Sequence, residues 1–365
     1  PAKRTPTSAG LPTETQRAAR QGNTLRPPRA IQVTSRGGIT SLATVMQKYL
    51  PLLLLPGCAF ASQGAQAKVL DELFSIIGTT NKNYVEFGYN TNELCAGSGA
   101  NTCRLHQQGW TGLMMDGGHQ NASINLQLEM ISSANIVHLF RKWSVRTDVD
   151  YVSMDMDSCD LWVLDALLSS EYKPRVISAE FNTNIPWPSA ITFPDKAKWD
   201  VAYQTNRVHY GLNGENKPAY HGCYVGASAA AFDIVAAEHG YEIVAVIMPL
   251  DLVLVRKDVL RAAAPQIQLS KTLQPYLINS TRTQMALRET RPLNTWGSRA
   301  MTSDQAQELV DYRVWRQRML TGTATMSQAV ADARKAASEQ VGDFARRNIP
   351  CFRLLKSWGK SRPTG

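Results

Sequence analysis

Four apolar runs in the middle of the chain deliver oxygen-bearing side chains at or near their ends. Tyr84-Val85-Glu86-Phe87-Gly88 carries an acid and closes on a glycine, and Gly112 to Asp116 closes on an acid followed by Gly117-Gly118. Tyr151 to Asp157 delivers Asp155 and Asp157, and Arg175 to Asn182 delivers Glu180 and Asn182. An ionised carboxylate only accepts hydrogen bonds, so Asp116 suits the two hydroxyls of a ribose and repels a phosphate placed on either. Asp155, Asp157, Glu180 and Asn182 offer hard oxygen ligands, which suit Mg2+ or Ca2+. A cation there would hold and acidify a substrate hydroxyl. A second reading of the same residues has Asp157 or Asp160 capping the following helix, with Glu180 and Asn182 only lining a pocket. His209 and His221 are candidate general bases, since histidine titrates near neutral pH; their alternative is an ordinary surface position.

These groups can converge only if the runs are parallel strands sharing one carboxyl edge. The intervening pattern supports that. An amphipathic helix opens the core at Lys68–Ile77, and a Gly/Asn-rich loop with Gly97, Ser98 and Gly99 follows Gly88. A short helix over 101–108 leads to the run ending at Asp116, and a weaker strand spans 124–130. Ser132 or Ser133 is the expected cap of a helix reaching Trp143. Leu161–Leu168 and Ala227–His239 read as helices, and Tyr241–Met248 with Asp251–Arg256 as a closing hairpin. The expected fold is therefore α/β, with a doubly wound, mostly parallel seven-stranded sheet. In such sheets the ligand crevice lies at the strand carboxyl ends. Residues 183–222 lack periodicity and are rich in aromatic residues, including Trp187, Trp199 and Tyr203. A loop that long is expected to be a substrate lid, the alternative being a structural insertion.

Residues 82–182 resemble the FkbM-like methyltransferases. The resemblance rests on Tyr84-Val-Glu-Phe-Gly88, Gly97-Ser-Gly-Ala-Asn-Thr102, Gly109-Trp-Thr-Gly-Leu-Met-Met-Asp-Gly117, Asp150-Tyr-Val-Ser-Met-Asp-Met-Asp157 and Pro174-Arg-Val-Ile-Ser-Ala-Glu-Phe-Asn182. Tyr224–Ser228, Gly240–Val244 and Val253–Arg256 extend it to about residue 257, a little under half of the chain. It implies the class I methyltransferase sheet, S-adenosylmethionine as cofactor, and methyl transfer. Carried over residue by residue, it places Glu86, Gly88, Gly97, Gly99, Asn101, Asp116 and Asp155 at the cofactor. Asp157, Glu180, Asn182 and His221 are the candidate acceptor-side residues, and the acids after strands four and five are also similar in layout to magnesium-dependent catechol-type methyltransferases, which implies Mg2+ on Asp155, Asp157, Glu180 and Asn182. The sequence departs from the family where residues 89–96 intervene between Gly88 and Gly97 and interrupt the compact glycine motif.

Charge divides the chain. Residues 1–67 carry +7 and residues 278–365 carry +8, leaving −6 for 68–277. An acidic core argues against a nucleic-acid groove there. Residues 1–67 form a basic leader, Ser/Thr/Pro/Gly-rich over 1–45 and expected to be disordered. Within it, 46–61 has Lys48, an apolar stretch and Ala59-Phe60-Ala61, the pattern of a signal-peptide core and cleavage site. An organelle-targeting segment and a buried apolar segment are the alternatives. A secreted, membrane-associated or organelle-targeted protein is expected before a plain cytoplasmic one. The core is expected over 68–262 and a basic helical extension over 263–365, with helices at Thr302–Leu320 and Ser327–Arg347. None of the six cysteines forms a CxxC pair, so structural zinc is not expected. Cys95 and Cys103 either bridge in an oxidising compartment or remain thiols, and free thiols are the default expectation.

The leading expectation is an S-adenosylmethionine-dependent O-methyltransferase acting on a small molecule or glycan. The alternative is a binding or scaffold protein that retains the sheet without the chemistry. A nicotinamide-dependent oxidoreductase is disfavoured by the missing GxGxxG and by the closing hairpin.

Overall fold

The computed structural model describes residues 64–96, 100–156, 159–195, 226–289, 301, 303–322, 324–347 and 349–355. Its centre is a seven-stranded sheet of β1 (Asn83–Phe87), β2 (Thr111–Asp116), β3 (Leu126–Leu128), β4 (Tyr151–Met154), β5 (Val176–Glu180), β7 (Tyr241–Ile247) and β8 (Asp251–Arg256). The strand order is β3-β2-β1-β4-β5-β8-β7. The first five strands are parallel, β8 pairs antiparallel with β5, and β7 pairs antiparallel with β8. The order runs outward in both directions from β1 and β4, so the switch point lies between these two strands.

The strands are buried on both faces, as a parallel sheet requires. Alternate residues feed two apolar layers. Val85, Phe87, Val152 and Ile177 face one of them, and Tyr84, Tyr151 and Val176 face the other. The second layer is closed by α1 (Gln66–Ile77), through Val69, Leu70, Leu73 and Phe74, and by α6 (Lys257–Leu269), through Ala263 and Ile267. The short α2 (Cys103–Gln107) adds Leu105 to it. The first layer is closed by α3 (Ile136–Lys142), α4 (Asp160–Leu168) and α5 (Ala229–Glu238). Each fully buried Val, Leu or Phe contributes roughly 1.5–3 kcal/mol, so these two layers hold the sheet.

Helix α4 is apolar nearly all round, with Leu161, Trp162, Val163, Leu164, Leu167 and Leu168 all buried. A helix of that kind needs cover on both sides. The sheet supplies one side and the C-terminal segment the other. α9 (Tyr312–Thr321) puts Tyr312 and Trp315 against Trp162, with ring centroids 5.3 and 4.7 Å away. α10 (Met326–Arg346) buries Ala329, Ala333, Ala337, Val341 and Phe344 and starts with a capping box between Thr325 and Gln328. In chain order, α7 (Thr281–Glu289) and α8 (Ser303–Glu308) come between α6 and α9. Among the described residues, no helix is long and apolar enough to cross a membrane.

Three local expectations are corrected. The helix expected over 302–320 is broken: after α8, the strand β9 (Val310–Asp311) pairs antiparallel with β6 (Ile191–Thr192), and α9 starts only at Tyr312. The break arises at Asp311, whose carboxylate accepts the Val314 N–H at 3.0 Å and caps a new helix. Ser133 does not cap α3. Its hydroxyl donates to Asp195 at 2.6 Å, and α3 begins at Ile136 without a side-chain cap. Finally, Cys95 and Cys103 form a disulfide, with Cα atoms 5.0 Å apart. Cys351 is also disulfide-bonded, and Cys159 is a buried cysteine outside any disulfide. Two disulfides fit an oxidising compartment.

Candidate functional site at the carboxyl edge of the sheet

Glu86 lies one residue before the end of β1, fully buried. Its carboxylate accepts the Asn101 N–H at 2.6 Å, the Thr102 N–H at 3.1 Å and the Thr102 hydroxyl. The acid thus fastens the far end of the loop that leaves β1. Loss of water raises its pKa to about 8; the three donors pull the other way without winning, and the nearby Asp155 carboxylate adds to the rise.

The inserted residues after Gly88 are held by their own contacts. The Tyr89 hydroxyl donates to the Glu93 carbonyl and accepts the Cys95 N–H. The Cys95–Cys103 bridge ties this segment to the start of α2. Asn92 joins it to the turn after β2, accepting from the Gln120 N–H at 3.0 Å and the Asn121 amide at 2.7 Å. Covalent and polar staples therefore fold a loop that a compact glycine motif would fold by itself.

Gly88 and Asp155 meet at the switch point. Gly88 has φ +72°, and a Cβ there would sit 1.7 Å from the Asp155 carbonyl oxygen. Only glycine permits both the backbone conformation and the approach. The Asp160 carboxylate accepts the Met156 N–H at 2.9 Å, joining the end of β4 to the first turn of α4.

Asp116 ends β2. Its Oδ1 accepts the Gly118 N–H at 2.7 Å and contacts His119 Nδ1 at 2.7 Å. Its Oδ2 has no hydrogen-bond partner among the described residues. On the far side of the switch point, Glu180 ends β5 and pairs in register with Asp251. Asn182 is buried; its N–H donates to the Ala227 carbonyl and its Oδ1 accepts the Asn184 N–H at 2.9 Å.

Glu86, Gly88, Asn101, Asp116, Asp155, Glu180 and Asn182 thus all belong to the carboxyl edge or to the loop folded over it. Gly97, Gly99, Asp157, His209 and His221 lie outside the described residues, as do Trp199 and Tyr203. The described part of the segment expected as a lid, 183–195, buries Ile185, Ala190, Ile191 and Phe193.

Two residues of this edge were missed by sequence reasoning. Asp251 opens β8; because β8 runs antiparallel, its first residue arrives where the parallel strands finish. It is buried, and loss of water pushes its carboxyl well above the usual range, with the Asp155 and Asp160 carboxylates adding to the rise. The available signal was an acid at the start of a closing hairpin strand. The other is His119, three residues past Asp116.

Beneath Glu86 and Asp251 runs a buried polar seam. Gln66 Nε2 donates to the Tyr151 hydroxyl at 3.1 Å, which donates to Ser178 Oγ at 2.8 Å. Burial raises the Tyr151 phenol far above its ordinary range.

Asp165, Glu238 and His239 are the one group among the described residues whose ligand atoms lie close enough to hold a metal ion. They sit on α4 and at the end of α5. Arg316 bonds Glu238 at 2.8 Å and lies 3.8 Å from Asp165, while His239 bonds Asp165 at 3.0 Å. A guanidinium supplies the positive charge there, and the cluster docks α9 onto the sheet domain. The expected Mg2+ set at the strand ends includes Asp157, outside the described residues, and Asn182 already spends one acceptor site on Asn184.

Comparison of the chain with protein-family models, with curated proteins and with solved structures yields no match.

Proposed function

We propose that this chain is an S-adenosylmethionine-dependent methyltransferase of the class I type that methylates a hydroxyl on a small molecule or glycan. The observation that carries the reading is the way the sheet ends. β8 inserts antiparallel between β5 and β7, the feature that separates a class I methyltransferase sheet from that of a nicotinamide-dependent dehydrogenase. The polar groups of the edge fit the cofactor in kind. Asp116 keeps one carboxylate oxygen open for a ribose hydroxyl, and Glu86 secures the loop that would pass beside the cofactor.

Bound cofactor supplies an electrophilic methyl group on a sulfonium. The protein must align the acceptor oxygen behind that methyl and remove the hydroxyl proton. Asp116 and the loop held by Glu86 fix the nucleoside end, and Asp155 at the switch point stands toward the reacting end. Asp157, Glu180, Asn182 and His221 remain the proposed acceptor-side residues, and Asp251 joins them as a buried carboxyl beside Glu180. With Mg2+ on Asp155, Asp157, Glu180 and Asn182, the acceptor hydroxyl would be acidified; without it, a side-chain base takes the proton.

A second reading keeps the sheet but not the chemistry, as a binding or scaffold module. The insertion of 89–96 into the glycine loop favours it. Calorimetric titration of the full chain with S-adenosylhomocysteine, with and without Mg2+, decides between them. Saturable binding of one ligand per chain, abolished in Asp116→Ala, is the expected result. Folded protein that binds nothing would move the assignment to the second reading.

A further inference from the structure

Asp116 is only half available as an acceptor. Its Oδ1 is already taken by the Gly118 N–H and by His119 Nδ1, each at 2.7 Å. Oδ2 alone remains open among the described residues, and the Asp116 side chain is 15% exposed. A vicinal diol has two hydroxyls to donate. His119 is the nearest candidate for the missing acceptor. Its side chain is 35% exposed, and anchoring Nδ1 as the donor to Asp116 leaves Nε2 as an acceptor on the opposite side of the ring.

The turn that carries His119 is fixed from two sides. The Gln120 N–H and the Asn121 amide bond to Asn92 of the inserted loop. The Glu129 N–H donates to the Asp116 carbonyl. The charged groups on these segments, besides Asp116, are Glu93, next to Asn92, and Glu129, whose carboxylate is held by Lys142 and by the Trp143 indole. Among the described residues His119 thus has one carboxylate partner, which selects the tautomer, and the insertion that interrupts the glycine motif helps place it.

We infer that Asp116 and His119 form a two-acceptor clamp for the ribose diol of the nucleoside ligand, Asp116 accepting through Oδ2 and His119 through Nε2. This rests on the methyltransferase reading above and assigns to His119 a binding role at that site. Neutral imidazole serves as the acceptor, since both ring nitrogens of an imidazolium carry protons.

The test is calorimetric titration of the full chain with S-adenosylhomocysteine and with its 2′-deoxy and 3′-deoxy analogues. Wild type, His119→Ala and His119→Gln are compared, with thermal unfolding as the check on folding. The wild type is expected to bind both deoxy analogues about tenfold more weakly, the worth of one hydrogen bond. His119→Ala is expected to lose about tenfold in affinity for the parent ligand and to stop discriminating against one of the two analogues. His119→Gln retains a donor and an acceptor, so it should recover part of the affinity and part of the discrimination between the analogues. Unchanged affinity and unchanged discrimination in His119→Ala would overturn the clamp, as would tighter binding, which would make His119 an occupant that the ligand must displace. Absence of binding by the folded wild type would overturn the methyltransferase reading along with it, so the two failures are distinguishable.

Discussion

The two ends of the sheet bury carboxylates in opposite ways. At the amino end, Asp150 stands just ahead of β4 with its side chain wholly enclosed. It accepts from the backbone N–H groups of Thr80, Asn81 and Lys82, from the Thr80 hydroxyl, and from Arg175 at 2.7 Å. Arg175 also donates to the Ile77 and Gly78 carbonyls that end α1. Burial alone would raise this carboxyl, but the guanidinium and the amides hold it below the usual carboxylate range. At the carboxyl end, Glu86 and Asp251 are buried with no cation beside them among the described residues and are pushed up. A protein can be stabilised by the first arrangement. The second costs stability and is what functional sites display. The comparison singles out the carboxyl edge independently of any family resemblance.

The largest effect should come from breaking the amino-end device. Arg175→Met would leave Asp150 buried without its cation and free two carbonyls at the end of α1. A loss of about 3–5 kcal/mol is expected, read by denaturant unfolding. A loss below about 1 kcal/mol would show that the amides alone suffice to hold the carboxylate.

Next is the pH dependence, where the two ends have opposite signs. Asp150 is depressed in the fold, so its contribution is present above its unfolded value, near 3.8, and fades as pH falls through the folded one. Glu86 is raised from 4.5 to about 8. Its contribution is full below about 4.5 and is lost as pH rises toward and through about 8. Stability should therefore decline between about pH 4.5 and pH 8 and level off above that, by an amount on the order of a few kcal/mol. Glu86→Gln should flatten that decline while leaving the acid limb in place. An alkaline limb that persists unaltered in Glu86→Gln would transfer the effect to Asp251 or elsewhere.

The carboxyl edge also depends on a covalent staple that the amino end does without. Replacing Cys95 and Cys103 together by serine removes the bridge around Gly97–Gly99 and leaves the Cys351 disulfide untouched. A stability loss of about 2 kcal/mol is expected for so short a loop. If the staple substitutes for the compact glycine motif, affinity for S-adenosylhomocysteine should fall about tenfold, roughly 1.4 kcal/mol. Loss of stability with affinity intact would reduce the bridge to a structural role.

How much of this was legible follows from the kind of signal. The strands announced themselves because apolar runs bounded by polar residues have few other uses, and their terminal acids followed from the parallel arrangement. Asp251 was not seen as part of the site because it opens a strand, and only the antiparallel insertion of β8 brings that end to the same edge. His119 escaped because its role depends on a side-chain contact with Asp116 that no spacing rule reports. The Cys95–Cys103 bridge went against the default expectation of free thiols, because a separation of eight residues permits both states and gives no signal for the bridge. The break at residues 310–311 was hidden by Leu309, Val310 and Val314, which continue a helical pattern while serving a strand and a cap.

That break supplies the smallest test. Asp311 caps α9 and also accepts from Gln340 on α10, so it ties both helices to the short β6–β9 ladder. The ladder reaches the carboxyl edge of the sheet through Ile191, whose carbonyl accepts the Ser228 N–H at 2.9 Å and whose N–H donates to the Ser228 hydroxyl at 3.1 Å. Ser228 caps α5, and Ala227 beside it receives the Asn182 N–H. Asp311→Ala should cost about 1 kcal/mol, the usual worth of an N-cap. If the C-terminal segment only covers α4, ligand affinity will be unchanged. If it also braces Asn182 through Ile191 and Ser228, affinity will drop by a factor of a few while Arg175→Met, far from this path, leaves it alone in protein that is still folded. The two variants together then separate an edge that is merely held by the fold from one that is positioned by the C-terminal helices.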